Sequence, residues 1–316
     1  MKKIILLWAI VLLSLSMAKE KIVVFHAGSL AVPFSQIEKV FEEKYPQYDV
    51  QREVSGSRKA ARKIADIGRA ADVIASADYK VIDNLLIPNN AKFNVQFATN
   101  EMALAYTEKS KFATEINAEN WTDILLRDGV KVAHSNPNSD PCGYRSILVT
   151  KLAEKYYKKP HFFKDLLGYA DLYKVGDEEK KKVVVRPKET DLLALLEAHA
   201  LDYLYIYKSV AEQHGLKYVT LPREVSLKDP ALNELYQSVS CQITGKKPGE
   251  TITKKGGAMV YGITIPQNDK SPLNPAGAAA FVNFVLSSEG ADIMKKNGQG
   301  VITPAVITGD SSILKK

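Results

Sequence analysis

The sequence predicts an α/β fold with two lobes and a ligand cleft between them. Short β-rich segments alternate with longer segments of helical periodicity over most of the 316 residues, a pattern typical of parallel sheets covered by helices. A chain of about 300 residues is long enough for two domains, each with a core of its own. Two long strand candidates, at residues 95–106 and 256–266, lie far apart in the sequence and are suited to connect two lobes.

The first lobe is predicted to begin with a β-α-β-α-β unit. Its elements are, in order, a strand over 23–27 that ends at Gly28-Ser29, a helix stopped by Pro46, a strand over 49–54 that ends at Ser55-Gly56-Ser57, a helix over 60–67 and a strand over 72–75. Each of the first two strands therefore stops at a glycine and a serine, residues that suit a turn followed by a helix start.

The second lobe is predicted between the two long strand candidates. It contains, in order, a strand over 130–133 and a helix from Asp140-Pro141 to about Tyr157, a strand over 183–185 and a helix from Glu189 to about His199, and a strand over 202–207 with a helix from Ser209. A long amphipathic helix over 275–296 is expected to pack back on the first lobe. The predicted boundaries are 19–98 with 260–316 for lobe 1, and 99–259 for lobe 2.

Residues 1–18 have the composition of a secretory signal peptide. Lys2 and Lys3 precede an apolar run over residues 4–13, and Ser16-Met17-Ala18 fits a small-x-small cleavage site. The apolar run is too short to span a bilayer comfortably. We therefore expect an exported protein, in the periplasm or at the outer face of the cytoplasmic membrane, whose mature chain starts near Lys19.

Charge and motif content narrow the kind of ligand. The chain has a formal net charge of +7, and loss of Lys2 and Lys3 on cleavage would leave +5, which favours anions without demanding nucleic acid. Only Cys142 and Cys241 are available for a disulfide, so a disulfide-rich scaffold is excluded. The sequence contains no CxxC, HExxH, Walker or GxGxxG pattern, and we expect neither a catalytic metal nor a nucleotide cofactor.

Five polar residues stand where predicted strands end and helices begin. In open α/β sheets, ligands collect at the carboxyl ends of strands. Two of these residues belong to the first lobe and three to the second, so a cleft between the lobes would bring them face to face. They are Ser29, Ser57, Asp140, Glu189 and Tyr207.

Each of the five also has a purely structural interpretation. Both serines are suitable helix caps, and Asp140 before a proline is a common helix start. Glu189 is an acidic residue in a first helical turn, which the helix dipole favours. Tyr207 alternates with Tyr203 and Tyr205 along one strand and could serve in packing alone.

Six segments in this order resemble the molybdate/tungstate-binding proteins of ABC importers, and in particular their tungstate-type branch. The resemblance covers essentially the whole mature chain. The segments are Phe25-His26-Ala27-Gly28-Ser29-Leu30, Val54-Ser55-Gly56-Ser57, Ala71-Asp72-Val73-Ile74-Ala75-Ser76-Ala77-Asp78, Asp140-Pro141-Cys142-Gly143-Tyr144-Arg145, Arg186-Pro187-Lys188-Glu189-Thr190-Asp191-Leu192 and Asp202-Tyr203-Leu204-Tyr205-Ile206-Tyr207-Lys208-Ser209.

This resemblance implies a class II periplasmic binding protein fold that closes on a tetrahedral oxyanion. It implies that Ser29, Ser57 and Tyr207 donate hydrogen bonds to oxygens of tungstate or molybdate. It further implies that Asp140 and Glu189 approach the metal centre of the anion and raise its coordination number from four towards six. The receptor would be a monomer that needs no cofactor and works with an ABC permease and its ATPase subunit.

The residues leave other functions open. Tyr203, Tyr205 and Tyr207 beside acidic residues suggest a ferric-ion receptor, although alternate strand residues lie about 7 Å apart along the strand. Sulfate or phosphate would also suit serine-lined helix starts. A serine-dependent hydrolase would need a base, which His26 near Ser29 offers, but no GxSxG motif is present.

Overall fold

The computed structural model describes residues 18–168, 172–174, 183–245 and 247–315. Its strands are Glu20–His26 (β1), Tyr48–Val54 (β2), Val73–Ser76 (β3), Phe93–Thr99 (β4), Met102–Tyr106 (β5), Val132–Ser135 (β6), Val183–Arg186 (β7), Tyr203–Tyr207 (β8), Lys217–Thr220 (β9), Ser240–Thr244 (β10), Thr251–Lys255 (β11), Val260–Thr264 (β12) and Gly300–Gly309 (β13).

The α-helices connect these strands and cover the sheets. They are Ala31–Lys44 (α1), Ser57–Ala65 (α2), Tyr79–Leu85 (α3), Trp121–Leu126 (α4), Pro141–Tyr156 (α5), Phe162–Leu167 (α6), Leu193–Glu197 (α7), Lys208–Gln213 (α8), Asn233–Gln237 (α9), Pro275–Leu286 (α10) and Ser288–Lys296 (α11). Short 3-10 helices at Gly28–Leu30 and Glu189–Leu192 follow β1 and β7 directly.

Two mixed sheets form the framework. The first has the strand order β13-β4-β12-β3-β1-β2, in which β1 is parallel to β2 and β3 while the other pairs are antiparallel. The second has the order β7-β6-β8-β5-β9, in which β6 is parallel to β7 and β8. Strands β10 and β11 form a separate hairpin. The predicted α/β class is therefore confirmed, but sheets that are parallel throughout are not observed.

Helix α1 shows how local sequence makes one of these elements. Phe34, Ile37 and Phe41 follow helical spacing and are all fully buried. Phe41 packs edge-on against Phe281 of α10, with ring centroids 5.4 Å apart. Leaving three such side chains in water instead would cost several kcal/mol, at about 2 kcal/mol each. The helix ends before Pro46, as predicted.

The predicted strand over 95–106 is wrong, because the chain there forms two strands in different sheets. β4 belongs to the first sheet and β5 to the second. Between them, the Asn100 side chain accepts a hydrogen bond from the main-chain N–H of Glu101, 2.9 Å away, which replaces sheet pairing at this point. The chain returns to the first sheet between β11 and β12. The proposed lobe limits, 19–98 with 260–316 and 99–259, stay a prediction about domain organisation.

Two predicted helices also differ. The helix over 275–296 is two helices, because Ser287 adopts an extended ψ of 166° and caps α11 by accepting from the N–H of Gly290. The helix predicted from Glu189 to His199 is a 3-10 turn followed by α7, and it ends before His199, whose φ is 58°.

The predicted signal peptide lies outside the described residues, apart from its last residue. Within the described ranges, no helix combines the length and the apolar character needed to cross a membrane.

Candidate functional site

The ends of parallel strands bring the five predicted residues into one region. Ser29 follows β1 and Ser57 follows β2, and these two strands are parallel neighbours. Asp140 follows β6, Glu189 follows β7, and Tyr207 ends β8, where β6 is parallel to the other two. All five side chains are buried, with at most 1% of the residue surface exposed.

Neither serine acts as the helix cap that the structural interpretation assigned to it. Ser29 lies inside the 3-10 helix Gly28–Leu30, and its Oγ accepts a hydrogen bond from the Tyr261 hydroxyl at 2.9 Å. Ser57 is the first residue of α2, whose cap position is Gly56, and its Oγ accepts from the main-chain N–H of Ala77 at 3.0 Å. Both hydroxyls keep a proton that another acceptor can take.

Asp140 does cap a helix, and it also holds the opposite side of the site in place. One carboxylate oxygen accepts from the N–H of Cys142 at 3.3 Å at the start of α5. The other accepts from the N–H of Glu189 at 3.0 Å. Asp140 therefore links the helix after β6 to the 3-10 helix after β7, so the two acidic residues are neighbours.

The Glu189 carboxylate lies directly against the turn after β1 at Gly28. A Cβ atom placed on Gly28 would be 2.7 Å from Oε1 of Glu189, so a side chain there would force the carboxylate or the turn to move. The neighbouring turn is equally tight, since a Cβ on Gly56 would lie 2.6 Å from the carbonyl oxygen of Ser139. These two glycines permit the strand ends of the first sheet to meet the acidic residues of the second.

Both carboxylate oxygens of Glu189 are buried and have no hydrogen-bond partner among the described residues. Burial, followed by the nearby charge of Asp140, raises the pKa of Glu189 well above its ordinary value. The Asp140 carboxylate also lies close enough to accept the proton of a protonated Glu189, which raises the pKa further. The main-chain N–H groups of Glu189 and Ser29 lie near enough to favour the ionised form, but neither makes a well-oriented hydrogen bond to it. An ionised Glu189 therefore lacks a compensating partner in the protein.

Arg145 is a site residue that the sequence analysis did not single out. It lies on α5, is 3% exposed, and donates from Nη1 to the carbonyl oxygen of Ala77 at 2.7 Å and to the Tyr207 hydroxyl at 2.9 Å. Burial alone would lower the pKa of Arg145, but neighbouring tyrosines and Asp78 raise it, so the guanidinium stays charged. Its only signal in the sequence was its place in the segment 140–145.

A second missed group connects Ser29 to the points where the chain crosses between the sheets. Tyr261 in β12 donates to Ser29, and the Nδ2 atom of Asn100 lies 2.9 Å from the Tyr261 hydroxyl. Asn100 also reaches Ser209 at the start of α8, 2.7 Å away. No sequence pattern indicated these contacts, because their members are separated by up to 232 residues.

Contacts of charged residues link elements of the first sheet to the second sheet and to the hairpin beside the site. Arg58 on α2 donates to the carbonyl oxygen of Asn138 at 3.1 Å. Asp78 after β3 accepts from the hydroxyl of Tyr144 at 2.5 Å and from Lys254 of the β10–β11 hairpin. Although burial alone would raise the pKa of Asp78, these partners and Arg145 hold it well below its ordinary range. A cavity of about 530 Å³ lies beside the site, and its lining includes Asp78, Arg145 and Lys254.

Other candidates from the sequence have separate surroundings. The Nδ1 atom of His26 lies 2.8 Å from the carbonyl oxygen of Ala27, and its Nε2 atom lies 3.5 Å from Arg52 rather than at Ser29. Tyr203 donates to the carbonyl oxygen of Lys111, and Tyr205 accepts from Thr150. Of the three tyrosines in β8, only Tyr207 therefore belongs to the site.

The two cysteines, Cys142 and Cys241, are buried and not bonded to each other. Within the part of the chain that the structure describes, no three His, Cys, Asp or Glu residues are grouped as a metal site.

Comparisons with known proteins agree on the kind of protein. A family model described as "Bacterial extracellular solute-binding protein" matches residues 22–299. A protein of Petrotoga mobilis named an uncharacterized solute-binding protein is 54% identical over 284 residues, covering 90% of this chain and 84% of the relative. The molybdate/tungstate-binding protein WtpA of Pyrococcus abyssi is 46% identical over 307 residues, covering 92% of this chain and 87% of the relative.

A solved structure has the same fold. The periplasmic molybdate-binding protein of Azotobacter vinelandii matches with a TM-score of 0.60 at 16% identity, over 88% of this chain and 98% of that one. The predicted fold class, α/β with two lobes, is thereby confirmed.

Proposed function

The chain belongs to the family of bacterial extracellular solute-binding proteins, and we propose that it captures tungstate or molybdate for an ABC importer. In this proposal, the protein acts outside the cytoplasmic membrane as a monomer and delivers the anion to a permease and its ATPase subunit. It binds its ligand without turning it over. The relative from Pyrococcus abyssi, a molybdate/tungstate-binding protein, supports this choice of ligand.

The observation that carries the proposal is the unpartnered Glu189 carboxylate. It is fully buried beside Asp140, against the serine-bearing turn after β1. Two carboxylates would repel a dianion strongly in a site without water. Direct bonding of the carboxylate oxygens to a high-valent metal centre offsets this repulsion, whereas hydrogen bonding to the oxygens of an anion does not.

The hydroxyl groups supply the complementary contacts. Ser29, Ser57 and Tyr207 each retain a proton, and each donates it to an oxygen of the anion. Arg145 lies behind Tyr207 and adds positive charge within the same buried region. Hydrogen bonds to a charged acceptor are stronger than neutral ones, so a few of them in a closed site support about nanomolar affinity, near 12 kcal/mol.

The carboxylates also select the anion. Sulfur and phosphorus centres do not accept two further oxygen ligands, so sulfate and phosphate would meet Asp140 and Glu189 only as repelling charges. Tungsten and molybdenum centres accept them and become six-coordinate. The site therefore rejects the more abundant oxyanions by repulsion rather than by cavity size.

Binding would close two lobes, 19–98 with 260–316 and 99–259, about the two chain crossings near Asn100 and between β11 and β12. Each lobe contributes ligands, so neither lobe alone holds the complete site. The contacts of Arg58 and Asp78 across the cleft belong to the closed arrangement.

Calorimetry with tungstate, molybdate, sulfate, phosphate and a ferric salt tests the proposal. We expect tungstate and molybdate to bind more tightly than sulfate by about a thousandfold, or about 4 kcal/mol. Equal affinities for all oxyanions, or binding of the ferric salt alone, would contradict it. X-ray absorption at the metal edge should report six oxygen neighbours, whereas four would remove both carboxylates from the metal.

The variant Glu189→Gln tests the role of the carboxylate itself. The amide has the same shape but no charge, so tungstate affinity should fall at least about tenfold while sulfate affinity rises. Asp191→Asn is the matched control, because Asp191 lies on the same 3-10 helix but is exposed. Equal losses in both variants would indicate a general charge effect and refute direct bonding.

A further inference from the structure

Each hydroxyl group in the site already accepts a hydrogen bond from the protein. For Ser57 the donor is the main-chain N–H of Ala77, and for Tyr207 it is the guanidinium of Arg145. Neither donor can accept a proton in return. Ser57 and Tyr207 therefore remain donors towards any ligand, whatever the ligand is.

Ser29 differs, because its partner is another hydroxyl. Tyr261 could in principle donate to Ser29 or accept from it, and only the first direction leaves the Ser29 proton for a ligand. The surroundings of Tyr261 must therefore decide the direction of this hydrogen bond.

Asn100 decides it. Its Oδ1 atom accepts from the N–H of Glu101 at 2.9 Å, which fixes the orientation of the side-chain amide. Its Nδ2 atom, 2.9 Å from the Tyr261 oxygen, must then donate. Among the described residues the tyrosine hydroxyl has two partners, Asn100 and Ser29, and the donating Nδ2 of Asn100 cannot take its proton, so that proton points to Ser29. Asn100 is 7% exposed, and both Tyr261 and Ser29 are fully buried, so water does not replace these contacts.

We infer that Tyr261 is a positioning residue for anion binding: held by Asn100, it donates to Ser29 and leaves the Ser29 proton to the bound oxyanion. The inference rests on the proposed function, in which Ser29 contacts the anion. Tyr261 itself needs no contact with the ligand.

These hydrogen bonds lie where the chain crosses between the two sheets. Asn100 lies where the chain first crosses between the sheets, and Tyr261 lies on β12, just after the chain returns. The Nδ2 atom of Asn100 also donates to Ser209 of α8, on the side of the second sheet. The direction of the Ser29 hydroxyl is therefore set where the two halves of the protein meet.

The test is a double-mutant cycle read by calorimetry with tungstate. Tyr261→Phe should weaken binding about tenfold in the wild-type background, because the Ser29 proton is no longer directed to the ligand. In a Ser29→Ala background the same substitution should change the affinity less than about twofold. Tyr205→Phe is the control, since Tyr205 is equally buried and, among the described residues, its hydroxyl bonds to Thr150 rather than to Ser29.

Asn100→Asp provides a second route if Tyr261→Phe does not fold, which thermal melting would reveal. A carboxylate only accepts, so the tyrosine proton would turn to residue 100. The part of its effect that arises through Ser29 should disappear in the Ser29→Ala background, whereas simple charge repulsion of the anion persists in both backgrounds.

The outcomes separate the inference from the proposed function. If the wild-type protein binds neither tungstate nor molybdate, the proposed function fails. If it binds and Ser29→Ala weakens binding, but Tyr261→Phe does not, the function stands and the inference is wrong. Equal weakening by Tyr261→Phe in both backgrounds would also overturn it, because the tyrosine would then act independently of Ser29. An unchanged affinity in Ser29→Ala would overturn it as well.

Discussion

Replacing Glu189 by glutamine should stabilise the ligand-free protein although it damages binding. The wild-type carboxylate is buried, has two unpartnered oxygens and lies beside Asp140. Such a charge opposes folding unless a ligand compensates it. Glutamine removes the charge, and its amide N–H can donate towards Asp140.

The magnitude follows from the groups involved. Relief of an unpaired buried charge is partly offset, because the amide oxygen still lacks a partner, and we expect a net gain of about 1 to 3 kcal/mol in the free energy of unfolding. For a chain of this size, each kcal/mol raises the melting temperature by about 2 °C.

The stability gained by Glu189→Gln should increase as the pH rises. Because burial and Asp140 raise the folded-state pKa of Glu189, the wild-type protein loses stability as the pH rises above the ordinary value of 4.5 towards the raised one. Below that ordinary value the carboxyl is protonated in both states. The two proteins should therefore be equally stable in acid and diverge as the pH increases.

Urea denaturation of both proteins at several pH values, with and without tungstate, measures these effects. At about a thousand times its dissociation constant, tungstate should add about 4 kcal/mol to the wild type and less to the variant, so the order of stability reverses. A variant that is less stable without ligand would refute the reasoning, because it would show that the carboxylate has a stabilising partner. The control Asp191→Asn should show no reversal.

Three other substitutions test separate features. Burial lowers the pKa of His26 from 6.5 to about 4, so the contribution of His26 to wild-type stability should fall by about 3 kcal/mol between pH 7 and pH 4. His26→Gln should lose this part of the pH dependence in urea titrations, and identical slopes would contradict the assignment. Gly28→Ala places a methyl group 2.7 Å from Glu189, and calorimetry should show tungstate affinity reduced at least about tenfold; unchanged affinity would mean that Glu189 does not lie there in the bound form. Lys254→Met removes a partner of Asp78 and should lower the free energy of unfolding by about 1 to 3 kcal/mol, which an unchanged urea midpoint would disprove.

Much of the first sheet and its helices could be predicted from local sequence. In β1, α1, β2 and α2, apolar spacing matches the period of the element, and glycine, serine or proline marks the ends. The strands β11 and β13 were not predicted, because most of their residues are exposed or only partly buried and their apolar alternation is weak. Such strands are stabilised by pairing with a neighbour, which a single segment does not reveal.

The points where a predicted strand or helix is divided in two were harder to predict. The region 95–106 has polar residues in its middle, Thr99, Asn100 and Glu101, and the chain passes there from the first sheet to the second. At Ser287 a single extended residue divides what periodicity predicts as one helix. In both cases a short interruption divides a longer run that the sequence pattern predicts as one element.

By itself, the sequence determined which residues stand at strand ends, because strand and helix periods and their stop signals are local. Ser29, Ser57, Asp140, Glu189 and Tyr207 were all identified in this way. Only the tertiary structure decided which contacts these residues make and lack. The Glu189 carboxylate has no hydrogen-bond partner among the described residues, and the three hydroxyls each accept one hydrogen bond and keep a proton to donate.

The tertiary structure also supplied the residues that enforce this arrangement. Arg145, Tyr261 and Asn100 carry no motif that marks them as part of an anion site. Their roles depend on the directions of hydrogen bonds between groups far apart in the chain. Direction is a property of three-dimensional packing, so spacing along the sequence does not encode it.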